Sequence, residues 1–310
     1  MKIENHLVED EPANIQKEPL QFKRFKLTQF AEDFDKPTAA HLVKDVIQQG
    51  GLGLLIAPEK AGKSFVAIEL AGHIAGGKEE WRGRRIAKAC RGGVVIYVSG
   101  EGAAGFRQRK KALAKAIGIP FEKLSAMPFY DLQVAPNLSD PLVIKDLIHD
   151  IGLVGKPVLI VIDTLARTIF ADENDSEAMA RYINNCAEMQ RDFGCALLIV
   201  HHIPKASKNA PPGLMTPRGS NVLPASVDSC LKIDIQENNG KLLEVFFAKD
   251  LACGHIMNFK LKQVEVGMDD EGEVVTSCVI EEIGKETTPQ AYARKSGSSR
   301  DKGGVYGDDW

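Results

Sequence analysis

The sequence has few cysteines, no long apolar run and no large excess of charge, and each absence excludes a class of protein. Its six cysteines stand far apart, without CxxC spacing or histidine partners, so we expect reduced, mostly buried thiols rather than a metal module. No run approaches about 18 apolar residues, which argues against a membrane-spanning helix. The formal net charge of −3 provides no overall positive field, so any contact with a polyanion has to be local.

The two ends of the sequence differ in composition from its middle. Residues 1–36 are charged, weakly periodic and without the apolar stretch of a signal peptide, so we expect a flexible arm on a cytoplasmic protein. Residues 285–310 are polar and rich in glycine and serine, which predicts a disordered tail. Between them we expect one folded domain over 37–284. It begins with a helix predicted over 37–51, between a Pro-Thr start and a Gly-Gly stop.

Short apolar runs alternate with helical patterns through the middle of the chain. Each run is rich in β-branched residues and almost continuously apolar, as is typical of a strand buried on both faces. From about residue 228 the pattern becomes an alternation of polar and apolar residues between turn sequences such as ENNG, which predicts antiparallel hairpins. The fold class is therefore α/β, with a mostly parallel central sheet, helices on both faces and C-terminal antiparallel hairpins at one edge. The predicted core strands are 52–57, 93–99, 157–163 and 195–202.

The stretch APEKAGKS follows the first of these strands and precedes an amphipathic helix. It matches the phosphate-binding pattern G-x-x-x-x-G-K-[ST], except that alanine replaces the first glycine. In such a loop, backbone N–H groups surround the phosphates, the lysine reaches the β and γ oxygens, and the hydroxyl binds Mg²⁺. Alanine fits the first position if its φ stays negative. The candidate nucleotide-binding residues are Ala57, Pro58, Glu59, Lys60, Ala61, Gly62, Lys63, Ser64 and Phe65.

Acidic residues follow two further strands. Asp163 ends the strand PVLIVID and could hold Mg²⁺ together with Ser64. The alternative, a cap on a following helix, is weaker because TLAR does not continue as a clear amphipathic helix. Glu101 lies between two glycines and could polarise the water that attacks a γ-phosphate, or it could be a solvated glutamate in a turn.

Two adjacent histidines, His201 and His202, end the fourth core strand. One of them could sense a γ-phosphate by donating an N–H group to a phosphate oxygen. A metal site formed by the pair is disfavoured, because adjacent side chains on a strand point to opposite faces and no Cys or Asp partner has suitable spacing.

Five stretches, in the same order along the chain, resemble the RecA/DnaB-type ATPase core, and most closely the RepA-like hexameric replicative helicases of plasmids and phages. They are APEKAGKS, VVIYVSGEG, VLIVIDTLAR, FGCALLIVHHIPK and PRGSNVLPASVD. The resemblance implies a RecA-like fold, ATP and Mg²⁺ as cofactors, and a homo-oligomeric ring of six subunits with ATP between neighbours. It also implies Lys63 and Ser64 as nucleotide and metal residues, Glu101 as catalytic base, Asp163 as the second metal-side acid and His202 as sensor.

The arginine finger of the helicase relatives has no counterpart at its usual spacing. Those relatives place it about ten residues beyond the RGS motif, and counting from Arg218 reaches Asp228. The resemblance makes Lys249 the residue that would approach a neighbouring subunit's phosphates, although it could also be an exposed hairpin lysine. Because an arginine finger is worth roughly 10³–10⁵ in rate, its loss predicts slow hydrolysis or a different residue acting between subunits.

Candidate DNA contacts lie on the loop after the histidine pair. Lys205, Lys208 and Arg218 stand there among small residues, and six copies in a ring would concentrate positive charge around a pore. No aromatic residue occurs in 203–221, so base stacking is not predicted on that loop. The loop ARTIFADENDSEAM, which follows the preceding core strand, is acidic toward its end.

These features together predict a Mg²⁺-dependent ATPase of the RepA-like helicase group that acts on single-stranded DNA in replication or recombination. Replication or recombination proteins are candidate partners, and no membrane partner is expected. One alternative is a recombinase-like or DNA-repair accessory ATPase that does not unwind DNA. Another is a nucleotide-binding scaffold with slow turnover.

Overall fold

The strands predicted from apolar runs lie in the middle of one large sheet. The computed structural model describes residues 41–100, 103–203, 222–236 and 238–284. The strands are β1 (His41–Val43), β2 (Ile47–Gln48), β3 (Leu52–Ala57), β4 (Glu80–Trp81), β5 (Arg84–Arg85), β6 (Val94–Ser99), β7 (Phe129–Leu132), β8 (Pro157–Asp163), β9 (Ala196–His202), β10 (Ser229–Ile235), β11 (Lys241–Ala248), β12 (Gly254–Met268) and β13 (Val274–Ile283). The helices are α1 (Lys63–Ala75), α2 (Ala103–Ala116), α3 (Phe121–Leu124), α4 (Pro141–Val154), α5 (Leu165–Thr168), α6 (Ser176–Phe193) and α7 (Val222–Ser226).

The main sheet combines a parallel and an antiparallel part. Within the described residues it has nine strands, in the order β13-β12-β11-β10-β3-β9-β8-β6-β7. All neighbours from β10 to β7 pair in parallel, whereas β10 to β13 pair in antiparallel fashion. The predicted fold class is therefore confirmed. The strand β10 belongs to both parts, since it runs parallel to β3 and antiparallel to β11.

The central strands are buried on both faces, as their continuous apolar sequences predicted. In β9, Leu198 and Val200 face the core under α1 and α2, while Leu197 and Ile199 face the core under α4 and α6. The same alternation in β8 places Val161 on the α1 side. Helices thus cover both faces of the sheet, and a side chain's position in its strand decides which face it reaches.

The helix predicted over 37–51 is wrong for the residues that the structure describes. These residues form the short antiparallel pair β1 and β2, joined by a turn in which Asp45 has a φ of 54°. The spacing of Leu42, Val43, Val46 and Ile47 fits one helix face, but all four side chains are also buried by the hairpin. Backbone bonds to a neighbouring segment, including Ala87 N to Leu42 O at 3.0 Å, stabilise the extended form. Tertiary pairing has therefore overridden the helical spacing.

A buried ion pair connects α1 to the antiparallel part of the sheet. Glu69 on α1 accepts hydrogen bonds from Trp81 Nε1 at 3.0 Å and from Arg82 Nε at 3.0 Å. Arg82 also donates to Ile280 O on β13 at 3.2 Å. Because Glu69 is only 5% exposed, removing its partner would leave a buried charge without compensation. This contact fixes the helix that begins at the phosphate-binding sequence.

Several predictions concern residues that the structure does not describe. The arm over 1–36 and the tail over 285–310 lie outside the described ranges, so the domain limits stay a prediction.

Within the described ranges all six cysteines are free, and Cys186, Cys195 and Cys230 are buried. Burial raises the pKa of each of these three thiols to about 12. No helix of the described ranges is both long enough and apolar enough to cross a membrane.

Candidate nucleotide-binding site

The sequence APEKAGKS joins the C-terminal end of β3 to α1. Ala57 is the last residue of β3 and is fully buried. It is not among the described residues with positive φ, so alanine fits the first glycine position of the motif. The sharp changes of direction fall at Lys60, with a φ of 61°, and at Gly62, with a φ of 96°. Gly62 is the N-cap of α1, where its left-handed conformation favours glycine.

Lys63 lies across the inside of this loop. Its Nζ donates to Ala57 O at 2.9 Å and to Pro58 O at 2.8 Å, and the residue is 5% exposed. The first turn of α1 has no acidic residue and no side-chain cap. Its backbone N–H groups and the helix dipole therefore favour an anion at this end of the helix. Ser64, the second residue of α1, is partly exposed beside Lys63.

Asp163 ends β8 on the same face of the sheet as α1. Leu159 and Val161, which alternate with it along the strand, pack into the core under that helix. The hydroxyl of Tyr97, on the neighbouring strand β6, donates to Asp163 Oδ2 at 2.7 Å. The N-cap of the short helix α5 is Thr164 rather than Asp163. The carboxylate is thus held at the sheet edge and does not cap a helix.

The two histidines point to opposite faces, as their adjacency predicted. In the pairing of β9 with β3, His202 lies opposite Ala57 and His201 lies opposite Ile56. His202 alternates with Val200 and so faces the α1 side, whereas His201 is fully buried toward the other side. Of the two, His202 is the one next to the phosphate-binding sequence.

The structure brings some of the predicted residues together and separates others. Lys63, Asp163 and His202 share the C-terminal edge of the parallel strands and the α1 face. Lys249 lies at the opposite end of the sheet. It forms an ion pair with Asp228, which directly precedes β10, and the first residue of β10 pairs near the start of β3. The predicted residues outside the described ranges are Glu101, Lys205, Lys208 and Arg218.

Two residues with unusual positions were missed by the sequence reasoning. Tyr97 contacts Asp163 through the register of two strands that are distant in sequence, and nothing in the local pattern indicates that contact. Phe170, just after α5, is 65% exposed and has a φ of 50°. The sequence did contain an indication of this position, because Phe170 is an aromatic residue in a largely polar loop. A strained, exposed aromatic residue in the loop between α5 and α6 is a candidate binding residue.

The oxygen atoms at the sheet edge fit a hard cation. The Ser64 hydroxyl and the Asp163 carboxylate are the oxygen ligands that Mg²⁺ prefers, together with phosphate oxygens. Thr164 follows Asp163 in the chain, and its buried Oγ1 has no hydrogen-bond partner among the described residues. Since a buried hydroxyl is normally satisfied, this position suits a water molecule or a ligand oxygen. The residues present are therefore compatible with a nucleotide and its metal ion.

Comparison with known proteins agrees with this geometry. A family profile described as AAA domain matches residues 16–208, which is more than half of the chain. This chain belongs to the AAA domain family. The AAA domain protein is also similar to the crystal structure of the RadB recombinase, with a TM-score of 0.50 and 16% sequence identity over 69% of this chain and 88% of that chain. At this identity the likeness shows the fold alone. The fold and the family together identify a RecA-like P-loop ATPase domain, a class that binds ATP with Mg²⁺.

Proposed function

We propose that this AAA domain protein is a Mg²⁺-dependent ATPase of the RepA-like helicase group that acts on single-stranded DNA as a ring. The observation that carries the proposal is the arrangement of Lys63, Asp163 and His202 at one sheet edge and on one face. That edge is where open α/β sheets bind ligands.

The described residues have complementary roles in this proposal. Lys63 leaves the carbonyl oxygens of its own loop and binds the β and γ oxygens of ATP. Ser64 and Asp163 hold Mg²⁺, which supplies positive charge against the charge on the transferred phosphoryl group. Tyr97 orients Asp163 through its hydrogen bond of 2.7 Å. His202 contacts the γ-phosphate from the neighbouring strand, as its place opposite Ala57 supports.

The remaining roles are proposed from the sequence. Glu101 activates the attacking water, and residues 57–65 form the phosphate cradle. Lys205, Lys208 and Arg218 contact the DNA backbone inside the ring, and six copies give a grip that weakens with salt.

A second candidate is a recombinase-like accessory ATPase that forms filaments and does not unwind DNA. The neighbour of similar fold is named a recombinase, and that name is the observation that favours this candidate. A nucleotide-binding scaffold with slow turnover is a third candidate. It is supported by the presence of Asp228 where the resemblance would place an arginine, and by the ion pair that Asp228 forms with Lys249.

The test is nucleotide binding and hydrolysis by the full chain and two matched variants. Lys63→Ala should abolish ATP binding and DNA-stimulated hydrolysis without changing the circular dichroism spectrum. Lys145→Ala, which removes an exposed lysine on α4, should behave like the wild type. ATP binding that survives in Lys63→Ala would contradict the proposal.

Strand displacement then separates the candidates. Under the leading proposal the wild type displaces a labelled strand in the presence of ATP, and Glu101→Gln binds ATP but does not displace the strand. Hydrolysis without displacement, with open filaments in electron micrographs, would favour the recombinase-like candidate. Tight binding without turnover would favour the scaffold.

A further inference from the structure

An apolar pocket of about 240 Å³ lies where α2, α3 and β7 meet, and the function proposed above does not use it. Small-molecule sites usually measure roughly 300–1,000 Å³, so a pocket of this size suits one large side chain better than a cofactor. Several of its lining residues belong to the core under α1 and α2, and a side chain that filled the pocket would extend that core. The apolar lining consists of Leu113, Ala114, Ile117, Leu124, Met127 and Phe129.

The rim of the pocket is positively charged. Lys110 and Lys111 of α2 complete the lining, and α2 contains basic residues but no acidic residue. Lys110 forms an ion pair with Asp131 of β7, whereas Lys111 is exposed and forms no ion pair with any residue that the structure describes. A more polar depression that adjoins the pocket carries Lys78 and Lys123. This arrangement fits a segment in which an aromatic residue stands next to acids.

The chain itself contains such a segment, VYGDDW, at residues 305–310. It has two aromatic residues, two acidic residues and no basic residue, a formal charge of −2. The stretch 285–304 before it has five basic and two acidic residues, a formal charge of +3. Both stretches lie outside the residues that the structure describes. Their sequences place the acidic-aromatic character in the last six residues.

The stretch 285–304 is long enough to bring this segment to the pocket. Leu113, which lines the pocket, also lines a small depression together with Ile280 of β13. From Ile280 to Gly284 the strand direction covers about 13 Å, and the width of a helix adds roughly 10–12 Å. The twenty residues of 285–304 span about 22–27 Å as a random coil and at most about 70 Å when extended. The distance to the pocket, about 25 Å, is therefore close to the coil dimension.

The charge of this connecting stretch also fits the surface beside the pocket. Lys115 Nζ of α2 donates to Glu265 O of β12 at 2.8 Å, so the β12–β13 hairpin lies against the same helix. The turn of this hairpin is acidic over residues 269–273. A basic stretch is attracted to such a turn, while the acidic segment is attracted to the lysines of the rim.

We propose that residues 305–310 dock into this pocket of their own chain, with the Trp310 ring on the apolar lining and Asp308 and Asp309 near Lys111. Trp310 is the anchor because its ring buries the largest apolar area in the segment. A segment of the same chain is favoured over one from a second copy, because the connecting stretch keeps it at an effective concentration of about a millimolar. The inference does not rest on the proposed function, in which no pocket residue has a role.

The test uses full-chain variants and a labelled peptide of residues 303–310. Trp310→Ala removes the anchor and leaves the pocket open. In that background, Lys111→Glu reverses an exposed charge on the rim, and Ala114→Leu fills the pocket with a good helix former. Lys145→Glu is the matched control, since this exposed lysine lies on α4, which packs on the other side of the sheet.

Fluorescence anisotropy measures the affinity of the peptide for each variant. Trp310→Ala should bind the peptide about tenfold more tightly than the wild type does, because the tethered segment competes in the wild type. Lys111→Glu should weaken binding about twofold to fivefold, the range for one exposed ion pair. Ala114→Leu should weaken it about tenfold or more, because the ring is no longer buried. Lys145→Glu should change nothing.

Three results would overturn the proposal. Equal peptide affinity in the wild type and in Trp310→Ala would show that residues 305–310 do not occupy the site. Peptide binding that survives unchanged in both pocket variants would place the contact elsewhere. If Ala114→Leu alters the circular dichroism spectrum, Lys111→Glu on the surface decides this point alone.

A dilution experiment decides between the same chain and a second copy. Trp81 is fully buried, so acrylamide quenching of the wild-type tryptophan fluorescence reports on Trp310. Quenching that stays constant on dilution is the result expected for docking within one chain. Quenching that rises on dilution would assign the segment to the pocket of a second copy and overturn the proposal.

Discussion

Lys249 Nζ lies 3.0 Å from Oδ1 of Asp228, the residue ten positions after Arg218, where the resemblance to the helicases leads us to expect an arginine finger. The second carboxylate oxygen of Asp228 accepts a hydrogen bond from Leu52 N at 2.9 Å. The side chain of Lys249 is 45% exposed and that of Asp228 is 33% exposed. Lys249 is the candidate residue to approach a neighbouring subunit's phosphates. It is therefore held by an acid of its own chain, at the end of the sheet opposite to the phosphate-binding sequence of that chain.

We predict that Asp228→Asn raises the rate of ATP hydrolysis by roughly twofold to fivefold. The amide oxygen can still accept from Leu52 N, but its neutral group holds Lys249 less strongly, and an exposed ion pair is worth about 0.2–1 kcal/mol. The rate of phosphate release at saturating ATP and DNA is the measurement.

The double variant decides whether Lys249 causes this change. Lys249→Ala should hydrolyse ATP more slowly than the wild type, with unchanged ATP affinity, and Asp228→Asn should no longer raise the rate in its presence. An equal rise with and without Lys249 would show that Asp228 acts on the start of β3 instead.

We predict that Tyr97→Phe raises the Mg²⁺ concentration needed for half-maximal hydrolysis about fivefold, because one hydrogen bond of about 1 kcal/mol no longer orients Asp163. The phenylalanine ring keeps the contacts with Phe106, at 5.0 Å between centroids, and with Phe129, at 6.0 Å. Tyr182→Phe is the matched control, because it removes another buried hydroxyl contact, with Thr168 Oγ1 at 2.9 Å, on the other side of the sheet. A similar change in Mg²⁺ requirement in both variants would contradict the positioning role of Tyr97.

We predict that Ala57→Gly lowers the free energy of unfolding by about 0.5–1 kcal/mol and leaves ATP affinity unchanged. Ala57 is a strand residue without positive φ, so glycine adds only flexibility there. Lys60→Gly is the contrasting variant, because Lys60 has a φ of 61° and glycine relieves that strain. Urea denaturation with and without ATP measures both quantities. A large rise in ATP affinity in Ala57→Gly would show that alanine restricts the loop.

The central strands were predictable because burial on both faces leaves a continuous apolar run. The run 93–99 corresponds to the strand Val94–Ser99, and the run 157–163 corresponds to Pro157–Asp163. Their C-terminal ends meet at one edge in any parallel sheet, so the common location of Lys63, Asp163 and His202 followed from the element order.

The errors arise where distant pairing decides the structure. The segment at 41–48 became a hairpin because it pairs with a later segment, and its apolar spacing alone fits a helix equally well. The edge strand β7 is only four residues long and carries no distinctive pattern. The contacts of Tyr97 with Asp163 and of Lys249 with Asp228 depend on strand register, which a local pattern does not contain.

We predict that Phe170→Ala weakens binding of single-stranded DNA by at least about fivefold, because stacking of a base on an aromatic side chain is worth about 1–3 kcal/mol. Phe170 is 65% exposed beyond buried Ile169, so its removal should hardly change the free energy of unfolding. The slope of affinity against salt should stay the same, since the ring carries no charge. Fluorescence anisotropy with a labelled oligothymidylate measures both. Leu153→Ala, which removes an exposed side chain on α4, is the control. Equal affinity in the two variants would contradict stacking, and loss of assembly in Phe170→Ala alone would place this residue between subunits instead.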